Sequence, residues 1–164
     1  MNKKLLLVGV GVVLASGAAF MAAGAAKPAA AEVDWRSRRG KDEYYLPEEH
    51  EFDLPDINVN LKGTGGQRYL AAGLGVRFRI GQELALTPNK DGTPHDPKSS
   101  FEKAKLEIKD RLTILLSNKS VNDLEGSEKK KALKQEILEE LSVAVFPDQL
   151  GRIEQVYIKQ LLVQ

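Results

Sequence analysis

The sequence predicts an α+β domain carried behind a single N-terminal transmembrane helix. Three observations predict it. A basic tip, Lys3-Lys4, precedes an uncharged run from Leu5 to Ala26. Two alternating apolar stretches then flank a glycine cluster, as strands do around a turn. Two segments of helical apolar spacing follow, and a last alternating stretch closes the chain. Strands, then helices, then a returning strand argue for helices packed on one face of a small sheet, in the order β-β-α-α-β.

As a helix, Leu5–Ala26 would be about 33 Å long at a rise of roughly 1.5 Å per residue. That spans a hydrocarbon core of about 30 Å. Lys3 and Lys4 lie on its short side and keep the N-terminus in the cytoplasm. A second reading of the same residues is a cleaved signal peptide, with Lys3-Lys4 as its basic start and Leu5–Leu14 as its apolar centre. Small residues within Ala22–Ala31 would then offer the cleavage site. Under both readings the bulk of the chain is exported. Gly9, Gly11, Gly17 and Gly24 make no clean G-x-x-x-G, so that motif gives no ground for helix pairing.

Residues 1–26 thus read as tip and span, 27–56 as a flexible linker and 57–164 as the exported domain. The linker opens on Pro28 and alanines, continues through Arg36-Ser37-Arg38-Arg39-Gly40-Lys41, and turns acidic at Glu48-Glu49-His50-Glu51. Residues 32–56 hold four basic and nine acidic residues. No period of 2 or 3.6 lasts long enough there to promise a packed element. His50 among its glutamates reads as an exposed side chain, since no second histidine stands near to make a metal site.

In the domain, Ile57, Val59 and Leu61 alternate with Asn58, Asn60 and Lys62, a half-buried strand. Gly63-Thr64-Gly65-Gly66 turns the chain. Arg68–Ile80 is a longer strand with Val76, Phe78 and Ile80 on one face and Arg77 and Arg79 on the other, and a hairpin is the natural pairing. The segment 81–99 carries Pro88, Pro94, Pro97 and Asp91-Gly92; it reads as a loop with room for a strand near Glu83–Leu86. From Ser99 or Ser100 a helix carries Phe101, Ala104, Ile108, Leu112 and Leu115 at spacings of 3 and 4, and ends near Ser117-Asn118. Val121 and Leu124 lie in a short connection. A second helix from Glu128 carries Leu133, Ile137, Leu141 and Val145 until Pro147 stops it. Ile153–Val163 is the last strand, with Val156 and Ile158 on one face.

The composition removes several chemistries. Lys and Arg total 24 against 23 Asp and Glu, so no overall basic balance points to nucleic acid. There is no cysteine, which excludes disulfide scaffolds, thiol nucleophiles and thiolate metal sites. Two histidines are too few for a multi-histidine centre. Gly63–Gly66 lacks the Lys-Ser/Thr of a phosphate loop, and Gly73-Leu74-Gly75 lies inside a strand. Asn89-Lys90-Asp91-Gly92 lacks the ligand ladder of a calcium loop. His95 neighbours Asp96, but no G-x-S-x-G elbow presents a serine to it. Arg77 and Arg79 have no interleaved aromatics for base stacking, and Lys129-Lys130-Lys131 reads as a solvated helix face. No catalytic, cofactor or metal residues are assigned.

Several segments in order resemble the flagellar basal body-associated FliL family. Leu54-Pro55 with Val59-Asn60-Leu61 is similar to its opening strand, and Arg68-Tyr69-Leu70 to its second. Ile108-Lys109-Asp110-Arg111-Leu112, continuing through Leu115-Leu116-Ser117-Asn118-Lys119-Ser120 to Asp123-Leu124, resembles its central helix and the turn after it. Gly126, Leu133, Lys134 and Glu136-Ile137 fall where the family starts its next helix, although no lysine directly follows the glycine. Val156-Tyr157 and the terminal Val163-Gln164 resemble its last strand. The family's final phenylalanine is replaced by Leu161 or Leu162. The resemblance implies a bacterial inner-membrane protein with a periplasmic domain similar to the stomatin/prohibitin fold. It also implies association with the motor's stator units, ring assembly, a role in motility and chemotaxis, and no catalysis. Against it stands an exported binding or scaffold module unrelated to motility, released after signal cleavage.

Overall fold

The computed structural model describes residues 34–164. The predicted span and its rival signal peptide lie outside the described residues, as does the start of the linker. Among the described residues no helix is long and apolar enough to cross a membrane.

An antiparallel sheet and two long helices form the body of the domain. Strand β1 covers His50–Asp53, β2 Ile57–Asn60, β3 Tyr69–Ile80 and β4 Gly151–Val163. Helix α1 covers Gln82–Leu86, α2 Ser99–Ser117 and α3 Ser127–Val145. The expected hairpin is present: β2 pairs antiparallel with β3, Ile57 opposite Ala72 and Asn60 opposite Tyr69. Its turn needs the glycines, because Gly63, Gly65 and Gly66 all sit at positive φ (77°, 61° and 80°). β4 pairs along the other edge of β3, from Leu70 opposite Val163 to Ile80 opposite Gly151.

Two expectations change. His50–Asp53, assigned to the linker, is a strand paired with Gly75–Phe78 of β3. Because β4 occupies the opposite edge of β3, β1 and β2 lie end to end on one edge, with buried Leu54 and then Pro55 at the break. The strand near Glu83–Leu86 is instead the single helical turn α1, with no buried residue. The observed order is therefore β-β-β-α-α-α-β.

One face of β3 carries Leu70, Ala72, Leu74, Val76, Phe78 and Ile80, all buried. Against it lie Ile108, Leu112 and Leu116 of α2 and Leu133, Ile137 and Leu141 of α3, within one contiguous apolar cluster. The helical spacing read from the sequence marks the buried stripe of α3 and most of that of α2, where Leu116 is fully buried while Ala104 and Leu115 are half-buried. The last strand is less regular than its alternation suggests. Register shifts opposite Gly73/Leu74 and Arg77/Phe78 leave Lys159 and Glu154 as extra residues. Without these two bulges Ile153 and Leu161 would have the wrong parity to share a face with Val156 and Ile158.

The start of β4 packs closely on Phe146. A Cβ on Gly151 would stand 2.4 Å from Phe146 Cε1 and 2.5 Å from its Cζ. Gly151→Ala is expected to lose about 1–3 kcal/mol through overpacking, read as a lower denaturant midpoint. Phe146→Leu should recover part of that loss in the double variant; losses that simply add would show that the ring is not the obstacle.

Candidate interaction surface

The residues that the sequence singled out for chemistry are mostly engaged with nearby side chains and backbone. His95 Nε2 lies 3.3 Å from Ser99 Oγ at the start of α2. Asp96, however, accepts the Lys98 backbone N–H at 2.9 Å and does not orient the imidazole. Burial and the Lys103 charge hold His95 below the usual histidine pKa, with Asp96 opposing them. His50 is half-buried with its ring 5.5 Å from Phe78, so the expectation of an exposed side chain is corrected. Lys129 donates to the Asn122 carbonyl and side-chain oxygens at 2.7 and 2.9 Å, and Lys131 pairs with Glu128. Among the described residues no group of three or more His, Cys, Asp or Glu stands ready to hold a metal ion.

Arg77 and Arg79 do project from the outer face of β3, but into ion pairs. Arg77 meets Glu49 and Glu51 and lies over the Tyr157 ring at 5.3 Å. Arg79 donates to Glu154 at 2.7 Å, Arg152 donates to the same carboxylate at 2.8 Å, and both reach Asp42. Burial pushes the Glu154 pKa up, yet the hydrogen bonds from Arg152 and Arg79 outweigh it and the carboxyl is held low. Asp42 is held low chiefly by Arg152. A carboxylate lowered in the folded state stabilises the fold above its unfolded pKa, and that contribution is lost as pH falls through the folded value. The melting-temperature gap between the wild type and Glu154→Gln should therefore be widest near neutral pH and close below about pH 4. A gap independent of pH would mean that the charge of Glu154 contributes nothing.

The helical side of the domain offers a groove between α2 and α3. It is lined by Arg111, Ile114, Leu115, Asn118, Lys119, Glu136 and Glu140 and encloses about 380 Å³. Arg111 spans it to Glu140 at 3.0 Å while also holding Glu107, and Lys119 pairs with Glu136. Ile114 stays 55% exposed on its rim. The turn below is built by a capping box in which Asp123 accepts from Ser120 N–H at 2.9 Å and Ser120 Oγ at 2.6 Å. Lys62 N–H donates to the Lys119 carbonyl at 2.9 Å and ties this turn to the hairpin. The sequence could not place this groove, because its walls meet only when the two helices pack antiparallel.

Two segments far apart in the chain meet at the other end of β3. Tyr69 and Gln164 exchange backbone hydrogen bonds at 3.0 Å in both directions, and the Tyr69 hydroxyl bonds Gln164 Oε1. The second strand and the last residues, both quoted for the resemblance, thus form one paired ladder. Comparison with curated proteins gives no match. The family model described as flagellar basal body-associated protein FliL matches residues 51–164. That match begins inside β1 and runs through the hairpin, both long helices and β4, so the chain belongs to the flagellar basal body-associated FliL family.

Proposed function

We propose that this chain is a membrane-anchored, non-catalytic accessory protein of the flagellar basal body that supports the motor's stator units in motility and chemotaxis. The match over residues 51–164 carries this reading, since the family is one of flagellar basal body-associated proteins. In it, residues 1–26 form the cytoplasmic tip and the span through the inner membrane. Residues 27–56 form the connector, which the structure packs in part, and 57–164 hold most of a periplasmic domain similar to the stomatin/prohibitin fold. Lys3-Lys4 before the uncharged run supports the orientation.

Ring assembly belongs to the same proposal. β4 pairs with β3 on one side, and its bulges at Glu154 and Lys159 discourage indiscriminate edge pairing without closing the edge. Anchoring would confine all copies to two dimensions in one orientation, so weak contacts would act at a high effective concentration. Cross-linking of the full chain in native membranes should give a ladder of oligomers, and deletion of the gene should weaken swimming. Monomers alone, from folded protein, would remove the ring. N-terminal sequencing that starts at or after Ala23 would remove the anchor and favour the released module.

A further inference from the structure

The two halves of the outer sheet face, the face turned away from the helices, differ in how their polar groups are used. From Gly75 onward its charges are paired: Lys159 with Asp53, Arg77 with Glu49 and Glu51, and Arg79 with Glu154. Nearer the hairpin, Asn58 stands opposite Ala71 and Asn60 opposite Tyr69 on one side of β3. On the other side Leu162 is opposite Ala71 and Gln160 opposite Gly73. Ile57 and Val59 are buried, so both asparagines point outward. Asp56, Asn58 and Gln160 line a pocket of about 220 Å³ floored by Ala71, Ala72 and Gly73. Asn60, Tyr69 and Leu162 continue the same surface beyond it, with Tyr69 45% and Leu162 41% exposed. The side chains of Asp56, Asn58, Asn60 and Gln160 make no hydrogen bond or ion pair among the described residues. The Tyr69 hydroxyl is tied to Gln164 Oε1, which fixes its ring.

We propose that this half of the outer sheet face binds a neutral, N-acetylated glycan chain. The free polar groups around the pocket are chiefly amides, and each amide offers two donors and an acceptor on one plane. That set matches neighbouring sugar hydroxyls and acetamido groups, which both donate and accept. Asp56 is the one charged side chain in the pocket lining, an acceptor for two hydroxyls. Asparagine is depleted in strands, yet β2 carries two at alternate positions of the same face. Walls two strands apart stand about 10 Å from each other, room for a sugar ring lying over β3. The pocket is smaller than the roughly 300 Å³ at which drug-sized sites begin. It holds one ring, with the acetyl methyl on Ala71, while the chain continues over Leu162 and Tyr69. A bound peptide strand would instead use a sheet edge, where backbone groups are free; here the free groups are side chains on the face. Gly73 keeps the floor low: a Cβ there would stand 3.5 Å from Gln160 Cβ and 3.7 Å from Asp56 Oδ1. The binding is independent of membrane anchoring and of any role in the motor.

The test is calorimetric titration of the full chain, held in micelles of a detergent without a sugar headgroup, with a β-1,4-linked tetramer of N-acetylglucosamine. Saturable binding of one tetramer per chain is expected. Asn58→Thr removes an amide but supplies a residue that strands favour, so the fold is kept while affinity falls about tenfold, the effect of one lost hydrogen bond. Asn60→Thr and Gln160→Ala should weaken binding in the same direction. Gly73→Ala places a methyl on the pocket floor at ordinary contact distances, so it should weaken binding without lowering the melting temperature. Gln135→Thr makes the same chemical change at an exposed amide of α3 and should leave the affinity as it was. A glucose tetramer without acetamido groups should bind about tenfold more weakly than the N-acetylated one. No saturable heat from the wild type overturns the site. So do equal affinities for Asn58→Thr, Gly73→Ala and the wild type, or a loss in Gln135→Thr as large as that in Asn58→Thr. Equal binding of the two tetramers overturns the assignment to an N-acetylated glycan.

Discussion

Phe101→Ala is expected to cost about 3–5 kcal/mol, the largest single-residue loss in the domain. Phe101 is fully buried at the start of α2, and three other phenylalanine rings surround it. Its centroid lies 4.9 Å from Phe52 of β1 in a stacked arrangement and 4.6 Å from Phe78 of β3. Phe146, just past the end of α3, meets it edge-on at 5.7 Å. One side chain therefore joins two strands to the near ends of both long helices. Alanine would leave a cavity bounded by rigid rings that cannot collapse into it, and ring pairs add about 0.5–1.5 kcal/mol beyond their buried area. Against a total stability of about 5–15 kcal/mol, the melting temperature should fall by roughly 10–20 °C. Phe101→Leu keeps most of the volume and should lose less than half as much. Equal losses for the two variants would mean that the rings around Phe101 are not what holds it.

Phe101 was legible in the sequence, and Phe52 was not, for a physical reason that the cluster makes plain. A long amphipathic helix repeats its apolar positions, so Phe101, Ile108 and Leu112 reveal their shared face without knowledge of what covers it. Phe52 is the one apolar residue among His50, Glu51 and Asp53, and its burial comes from β3 and from Phe101, both distant in the chain. The same holds for Tyr44, whose burial depends on the absence of a side chain at Gly81. In β4 the apolar set was visible, but its parity was not, because Glu154 and Lys159 are bulged only by pairing with β3. The loop left room for a strand near Glu83–Leu86, yet the chain turns helical just after Gly81 with no partner strand beside it. The groove between α2 and α3 depends on antiparallel helix packing, and its lining ion pairs Arg111–Glu140 and Lys119–Glu136 join residues of two separate helices.

Leu112→Ala and Leu106→Ala should differ sharply although both lie on α2. The two positions are six residues apart, which turns them by about 120° around a helix of 3.6 residues per turn. Leu112 is fully buried and Leu106 is 84% exposed. Truncating Leu112 removes apolar contacts from the cluster that includes Ile108, Leu116 and Ile137, at about 2–5 kcal/mol. Truncating Leu106 removes a side chain that is already in water and substitutes the best helix former, so stability should stay within about 0.5 kcal/mol. Denaturant melts of the two variants read the difference directly. If Leu106→Ala were the costlier change, α2 would be rotated, and the groove lined by Arg111, Ile114 and Lys119 would not lie between the helices. A large loss at both positions would instead place Leu106 in a contact between copies of the chain, a result the wild-type protein would repeat as a melting temperature that rises with its concentration. With Leu112 alone costly, the helix has one buried face, and the exposed Leu106 and Ile114 stay available on the surface that α2 turns outward.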